Sequence, residues 1–132
     1  MATKNDLRPV FERLKKIFTP YEAKMNVAQD TDKMYVLNTR YLLKKNYPLM
    51  FGGVRLGKNY VSFHLMSVYA TPDEVKTMSR ELKKRMQGKS CFNFKEVDEK
   101  LFRELAKLTK AGAKRFSNEK FVDGLRKAQA RA

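Results

Sequence analysis

The 132-residue chain contains a single cysteine, a single histidine and no tryptophan. Cys91 has no disulfide partner within the chain, and it cannot complete the ligand set of a usual zinc site with His64 alone. No apolar run approaches the roughly 18 residues that a membrane-spanning helix needs. The N-terminus also lacks the apolar segment of a secretory signal. The sequence therefore predicts a cytoplasmic protein that needs no disulfide and does not enter a membrane.

Acidic residues are also scarce, because 14 Asp and Glu stand against 29 Lys and Arg and leave a net charge of +15. Hydrophobic residues make up 42% of the chain and charged residues 33%, which is typical of a globular chain and not of a disordered one. The length favours one domain spanning residues 1–132. A strongly basic domain attracts anionic partners.

Hydrophobic periodicity changes along the chain from helical to alternating and back to helical. The predicted elements are a helix from Leu7 to Phe18, several strands between Tyr21 and Met66, a helix capped by Thr71 and running to about Met86, a short strand from Ser90 to Lys95, a helix capped by Asp98 and running to about Lys114, and a last helix after Ser117 whose tail, 126–132, frays. Strands joined by short loops favour antiparallel pairing. The predicted fold class is α+β: a mainly antiparallel sheet with helices packed on it in a single two-layer domain.

Two segments that follow Asn46, PLMFGGVRLGKNYVSFHLMSVY and MQGKSCFNFKEVDEKLFRELAKLTKAGAKRF, resemble the YdhG-like family of small bacterial domains of unknown function. The resemblance is strongest over residues 46–116 and rests on a strand hairpin, a helix, a short Gly-Lys strand with phenylalanines, and a leucine-rich helix. It implies a compact α+β domain and defines no catalytic site. Some relatives are described as frataxin-like iron chaperones, which supplies an alternative function.

Basic residues recur at steps of three and four on the helix predicted after Asp98. This set, called the basic stripe below, consists of Lys100, Arg103, Lys107, Lys110 and Lys114. The preceding predicted helix carries a second set, Lys76, Arg80, Lys83 and Lys84. Cations one helical turn apart can follow phosphates and gain affinity from counterion release without reading sequence. A solvated helix face is the ordinary alternative. With the excess positive charge, the stripe favours a non-enzymatic binding protein for nucleic acid or an acidic protein.

His64 and Cys91 form the one pair that could act as base and nucleophile. Alternation places both opposite the apolar residues of their strands, so adjacent strands could present them on one sheet face together with Asn93. A Cys/His catalyst needs a thiolate activated by the imidazole and a third group that orients the base. No local signature of a thiol enzyme surrounds Cys91. The sequence therefore predicts no catalytic site and no cofactor.

Two further alternatives depend on other side chains. Ferrous iron prefers clustered oxygen ligands, and the candidates are Asp30 with Asp32, Asp73 with Glu74, and Glu96 with Asp98 and Glu99. A turn, a capping box and a helix N-terminus explain these groups without a metal, so no metal site is predicted. The other alternative is a small-molecule pocket between the sheet and the first helix, lined by aromatics and by Met34, Met50 and Met66. The oligomeric state stays open.

Overall fold

A computed structural model describes residues 6–44, 46–71 and 73–131. In chain order the elements are α1 (Arg8–Phe18), a 3₁₀ helix (Thr19–Lys24), β1 (Asn26–Asp30), β2 (Met34–Lys44), β3 (Tyr47–Leu56), β4 (Val61–Leu65), α2 (Met66–Ala70), α3 (Asp73–Thr77), α4 (Arg80–Lys83), β5 (Met86–Gln87), β6 (Cys91–Phe94), α5 (Glu99–Arg115) and α6 (Glu119–Arg131). None of the helices in these ranges has the length and the apolar composition of a membrane-spanning segment.

The strands form one six-stranded sheet in the order β1-β2-β3-β4-β6-β5, and each neighbouring pair is antiparallel. Along β4 the residues Val61, Phe63 and Leu65 are buried while Ser62 and His64 are half-buried. Alternation of this kind turns one sheet face towards a packed core. The α+β class with helices packed on an antiparallel sheet is thus confirmed.

Helix α1 packs on the core face through side chains three and four residues apart. Phe11, Leu14 and Phe18 are fully buried, and the Phe18 ring stacks on Phe63 with 4.7 Å between centroids. Burying each such side chain contributes about 1.5–3 kcal/mol. The approach is so close that a Cβ atom at Gly52 would lie 2.5 Å from Phe18 Cζ. Glycine at this position of β3 therefore permits the contact between helix and sheet.

The single helix predicted from Thr71 to Met86 is wrong, because the chain leaves the helical conformation at Ser79. Ser79 Oγ accepts a hydrogen bond from the Leu82 amide at 3.2 Å and so caps α4 as a separate short helix. The Ser79 amide and hydroxyl also donate to the Glu104 carboxylate of α5, at 2.8 and 2.7 Å. Met86, the predicted helix end, begins strand β5.

The capping box predicted at Thr71 does not form through Glu74. That carboxylate is buried and makes an ion pair with Arg115 of α5, so it does not reach back to the helix start. Pro72, the predicted first helical residue, lies outside the described residues. Met66, predicted to end a strand, begins the short helix α2 instead.

For the two C-terminal helices, the prediction and the structure agree more closely. Asp98 caps α5 as predicted, since its Oδ1 accepts a hydrogen bond from the Leu101 amide at 3.1 Å. The tail predicted to fray, 126–132, is helical as far as Arg131. A hydrogen bond joins this helix to β2: Arg126 Nε donates to the Leu42 carbonyl at 2.7 Å.

Candidate functional site

The basic stripe lies along the outer side of α5. All of its members are exposed, while Leu101 and Leu105 on the other side of the helix are buried in the core. The predicted exposure of the stripe is therefore confirmed. In the described part of the chain, no stripe residue has a carboxylate oxygen within 4 Å of its charged nitrogens.

The acidic residues of α5 are engaged by other partners. Glu104 accepts the two hydrogen bonds from Ser79, and Glu99 forms an ion pair with Arg13 of α1. Neither carboxylate forms an ion pair with a stripe residue. The cations of the stripe are therefore exposed without a salt-bridge partner among the described residues.

A cavity of about 610 Å³ opens at the C-terminal end of α5, between that helix, the 3₁₀ helix and β2. We call it the α5 cavity; its lining residues are Tyr21, Lys24, Met25, Thr39, Arg40, Tyr41, Lys110, Ala113, Lys114, Phe116 and Ser117. Two stripe residues, Lys110 and Lys114, belong to it. The lining includes four cations and no carboxylate, so the cavity is suited to an anion.

Aromatic side chains form much of the apolar wall of the α5 cavity. Tyr21 and Phe116 both pack edge-on against Phe51 of β3, with centroids 6.0 and 5.8 Å apart. Tyr41 has the Arg126 guanidinium over its ring at 5.9 Å. Tyr21 is half-buried, and burial raises the pKa of its phenol above the ordinary value of 10.0.

Hydrogen bonds fix the backbone that carries the polar lining. The Thr39 hydroxyl donates to the Leu49 carbonyl at 2.8 Å across β2 and β3. The next residue, Arg40, is exposed and donates one Nη2 hydrogen bond to the Ala23 carbonyl of the 3₁₀ helix at 3.0 Å. A guanidinium has five N–H donors, so this anchor does not exhaust the donors of Arg40.

Of this lining, only Lys110 and Lys114 are recognisable from the sequence. Lys24 and Arg40 come from elements far from α5 in the chain, and no spacing rule connects them to it. Their convergence depends on how β2 and the 3₁₀ helix pack against the end of α5.

A groove of about 250 Å³ runs between α1 and α5 and adjoins the cavity, because Tyr21 lines both. Arg13, Lys16 and Arg103 contribute cations to the groove, and its one carboxylate, Glu99, pairs with Arg13. From Arg103 in the groove to Lys114 in the cavity, α5 rises about 16 Å. The groove and cavity therefore form a continuous basic track along one side of the helix.

The second basic set lies elsewhere and does not share one helical face. Lys76 belongs to α3, where Asp73 lies 3.6 Å from its Nζ, whereas Arg80 and Lys83 belong to α4. Lys84 lines a separate depression of about 230 Å³ beside β5 and β6. Strands β3 and β4 separate these strands from β2, on which the α5 cavity is built. The break at Ser79 is the reason why the predicted helical spacing of this set is wrong.

His64 and Cys91 lie opposite each other on β4 and β6, as the alternation predicts. His64 Nδ1 is 3.3 Å from Cys91 Sγ and 3.1 Å from the Ser90 hydroxyl oxygen. Asn93 is paired with Ser62 instead, and its Oδ1 accepts the Ser62 hydroxyl at 2.8 Å. Asn93, a candidate for the third group that orients the histidine, therefore contacts Ser62, two residues along the ladder from the pair of His64 and Cys91.

The electrostatics of this pair oppose nucleophilic catalysis. Burial lowers the pKa of the His64 imidazole below its ordinary value of 6.5. Burial also raises the pKa of the Cys91 thiol, and a hydrogen bond from Ser90 counteracts only part of that effect. Thiol enzymes need the reverse pattern, a thiolate beside a histidine that takes its proton. The geometry fits a neutral, hydrogen-bonded pair.

The candidate carboxylates for iron are dispersed. Among the described residues, no three His, Cys, Asp or Glu side chains are grouped closely enough to hold a metal ion. Most are already engaged: the ion pairs are Asp30 with Lys15, Asp32 with Arg8, Asp73 with Lys76, Glu74 with Arg115 and Glu99 with Arg13. The described residues therefore offer no cluster of ligands for the iron-binding alternative.

The pocket expected between the sheet and the first helix does not lie at that interface. Phe11, Leu14 and Phe18 fill the space between α1 and the sheet. The large cavity is one element later, at the 3₁₀ helix, and Met25 is the methionine that lines it.

In comparisons with known proteins, no family model, no curated protein and no solved structure matches this chain. The resemblance to YdhG-like domains stays a prediction.

Proposed function

We propose that this domain is a non-enzymatic binding protein for polyanions and that the basic stripe of α5 is its contact surface. The observation that carries the proposal is the exposure of the stripe without a carboxylate partner in the described residues. Each lysine or arginine that contacts a phosphate releases condensed counterions, which supplies affinity without sequence readout.

The net charge of +15 supports the same conclusion. A long-range positive field steers polyanions to the protein, and the stripe offers a row of cations on one helix that can contact them. The lowered pKa of His64 and the raised pKa of Cys91 oppose thiol catalysis, the catalytic alternative that the sequence offers. An acidic protein would satisfy the charge equally well, so it belongs among the probes of the test.

The test measures fluorescence anisotropy with a labelled single-stranded oligonucleotide, a DNA duplex and polyglutamate at low and physiological salt. Engaging about three to five phosphates predicts a slope of log K against log salt of roughly −2 to −5. The double variant Lys107→Glu, Lys110→Glu should weaken binding and flatten the slope. Both positions are exposed, so the helix should keep its fold.

The matched control is Lys83→Glu, Lys84→Glu, which changes the charge equally on the other basic set. We expect this variant to lose less affinity than the stripe variant. Absence of salt-dependent binding by the wild type at low ionic strength would overturn the proposal. A greater loss in the control than in the stripe variant would overturn the assignment to α5.

A further inference from the structure

The α5 cavity differs from the rest of the basic surface because it is concave and aromatic. Its volume of about 610 Å³ falls in the range of small-molecule sites, about 300–1,000 Å³. A row of exposed lysines suffices to contact a duplex or an acidic chain from outside. An aromatic cavity has no role in such contacts from outside. Its shape and apolar wall instead fit a ligand that has a flat, apolar part.

We infer that the α5 cavity receives an unstacked base of a single-stranded nucleic acid while the cations at its rim hold the neighbouring phosphates. This inference rests on the proposed function and narrows its ligand class. Proteins that bind single strands combine a positively charged groove with aromatic side chains on which bases stack. The α5 cavity and the adjoining groove have both components.

The distribution of charge supports a strand that enters along the groove. Arg103 and Lys16 lie in the groove, and Lys110 and Lys114 follow at the cavity. Arg40 is held at the cavity by its hydrogen bond to the Ala23 carbonyl. Because arginine retains further donors in that position, it can bind a phosphate oxygen through more than one N–H.

Tyr21 is the residue best placed to stack on the base. It lines both the cavity and the groove, and it is half-buried, whereas Phe116 is only 2% exposed. Tyr41 already has the Arg126 guanidinium near its ring. Like any tyrosine, Tyr21 is uncharged at neutral pH and does not repel phosphates.

Bases inside a duplex are stacked and paired, and they cannot enter a side cavity without being extruded at an energetic cost. The inference therefore predicts a preference for single strands over duplex at equal charge. It also predicts that the bases, and not only the phosphates, contribute to affinity. Polyglutamate offers charge alone and should bind more weakly than an oligonucleotide of the same net charge.

The experiment compares a labelled oligothymidine with an abasic oligonucleotide of the same length and charge, both against the wild-type protein. We expect the abasic probe to bind roughly 5- to 100-fold more weakly, the range for loss of base stacking on aromatic residues. Equal affinity for the two probes would overturn the inference and leave the proposed function standing. Absence of binding to both would also overturn the inference, and it would overturn the proposed function if the duplex and polyglutamate failed to bind as well.

Variants of Tyr21 locate the effect. Tyr21→Leu should reduce oligothymidine affinity several-fold without changing the salt slope or duplex binding, because no charge is lost. Tyr21→Phe keeps the ring and should bind like the wild type. The control Tyr69→Leu removes an exposed tyrosine of α2 outside the cavity and should have no effect. If Tyr21→Leu binds oligothymidine as the wild type does, the assignment of the base to this cavity is wrong. If that variant does not fold, the comparison with the abasic oligonucleotide decides the inference.

Discussion

Gly112 of α5 lies directly against Ser67 of α2, and both residues are buried. A Cβ atom at position 112 would overlap the Ser67 hydroxyl and lie 2.6 Å from its Cβ. We therefore expect Gly112→Ala to destabilise the protein by about 1–3 kcal/mol, the usual cost of overpacking. Urea denaturation should show a lower midpoint with an unchanged slope.

Gly124 supplies a matched control for this prediction. It lies in α6, it is exposed, and no atom lies within 4 Å of an added Cβ. Gly124→Ala should be neutral or stabilise the protein by up to about 1 kcal/mol, because alanine loses less entropy in a helix. Stabilisation by Gly112→Ala as well would contradict the close contact between α2 and α5.

His64 predicts a specific dependence of stability on pH. Burial lowers the pKa of its imidazole in the folded state from the ordinary 6.5. Between that pH and the lower pKa of the folded state, the unfolded chain binds more protons than the folded chain, so stability falls as the solution becomes more acidic. The contribution is at most about 1.4 kcal/mol per pH unit. Well above pH 6.5 the histidine is neutral in both states, and its titration costs no stability.

The measurement compares urea midpoints of the wild type and His64→Gln at pH 7 and pH 5. Glutamine offers hydrogen-bonding groups without titrating in this interval. We expect the wild type to lose more stability than the variant between the two values. A constant difference between the two proteins would show that the histidine titrates normally in the folded state.

The parts of the fold that the sequence predicts well are those with local causes. Helix α5 combines a capping aspartate, Asp98, with regular burial at Leu101 and Leu105, and its limits are close to the predicted ones. The strand alternation around His64 and Cys91 places the two side chains side by side, as predicted. In these cases the residue spacing itself determines the geometry.

The features that the sequence does not predict depend on residues that are distant from each other in the chain. The break at Ser79 depends on Glu104, a residue of another helix, so the helical spacing before it was misleading. The α5 cavity depends on the convergence of Tyr21, Arg40 and Lys114 from three elements. Neither relationship has a signal at short range, because tertiary packing produces both.

The environment of Cys91 predicts low reactivity of its thiol. The thiolate is the reactive form of cysteine, and burial raises the pKa of this thiol above its ordinary value of 9.0. His64 does not offset this effect, because its own pKa is lowered and it stays neutral. We expect alkylation by iodoacetamide at pH 7.5 to be about 10-fold or more slower in the folded protein than in urea. The rate should rise only at alkaline pH.

The Ser90→Ala variant distinguishes the causes of this behaviour. The Ser90 hydroxyl lowers the pKa of the Cys91 thiol by hydrogen bonding, so its removal should slow alkylation further and shift the pH profile upwards. A merely steric barrier would leave the profile unshifted. Rapid alkylation of the wild type at neutral pH, with a rate that depends on His64, would instead indicate a thiolate–imidazolium pair. That outcome would return the two residues to consideration as a catalytic pair, since their atoms are already within hydrogen-bonding distance.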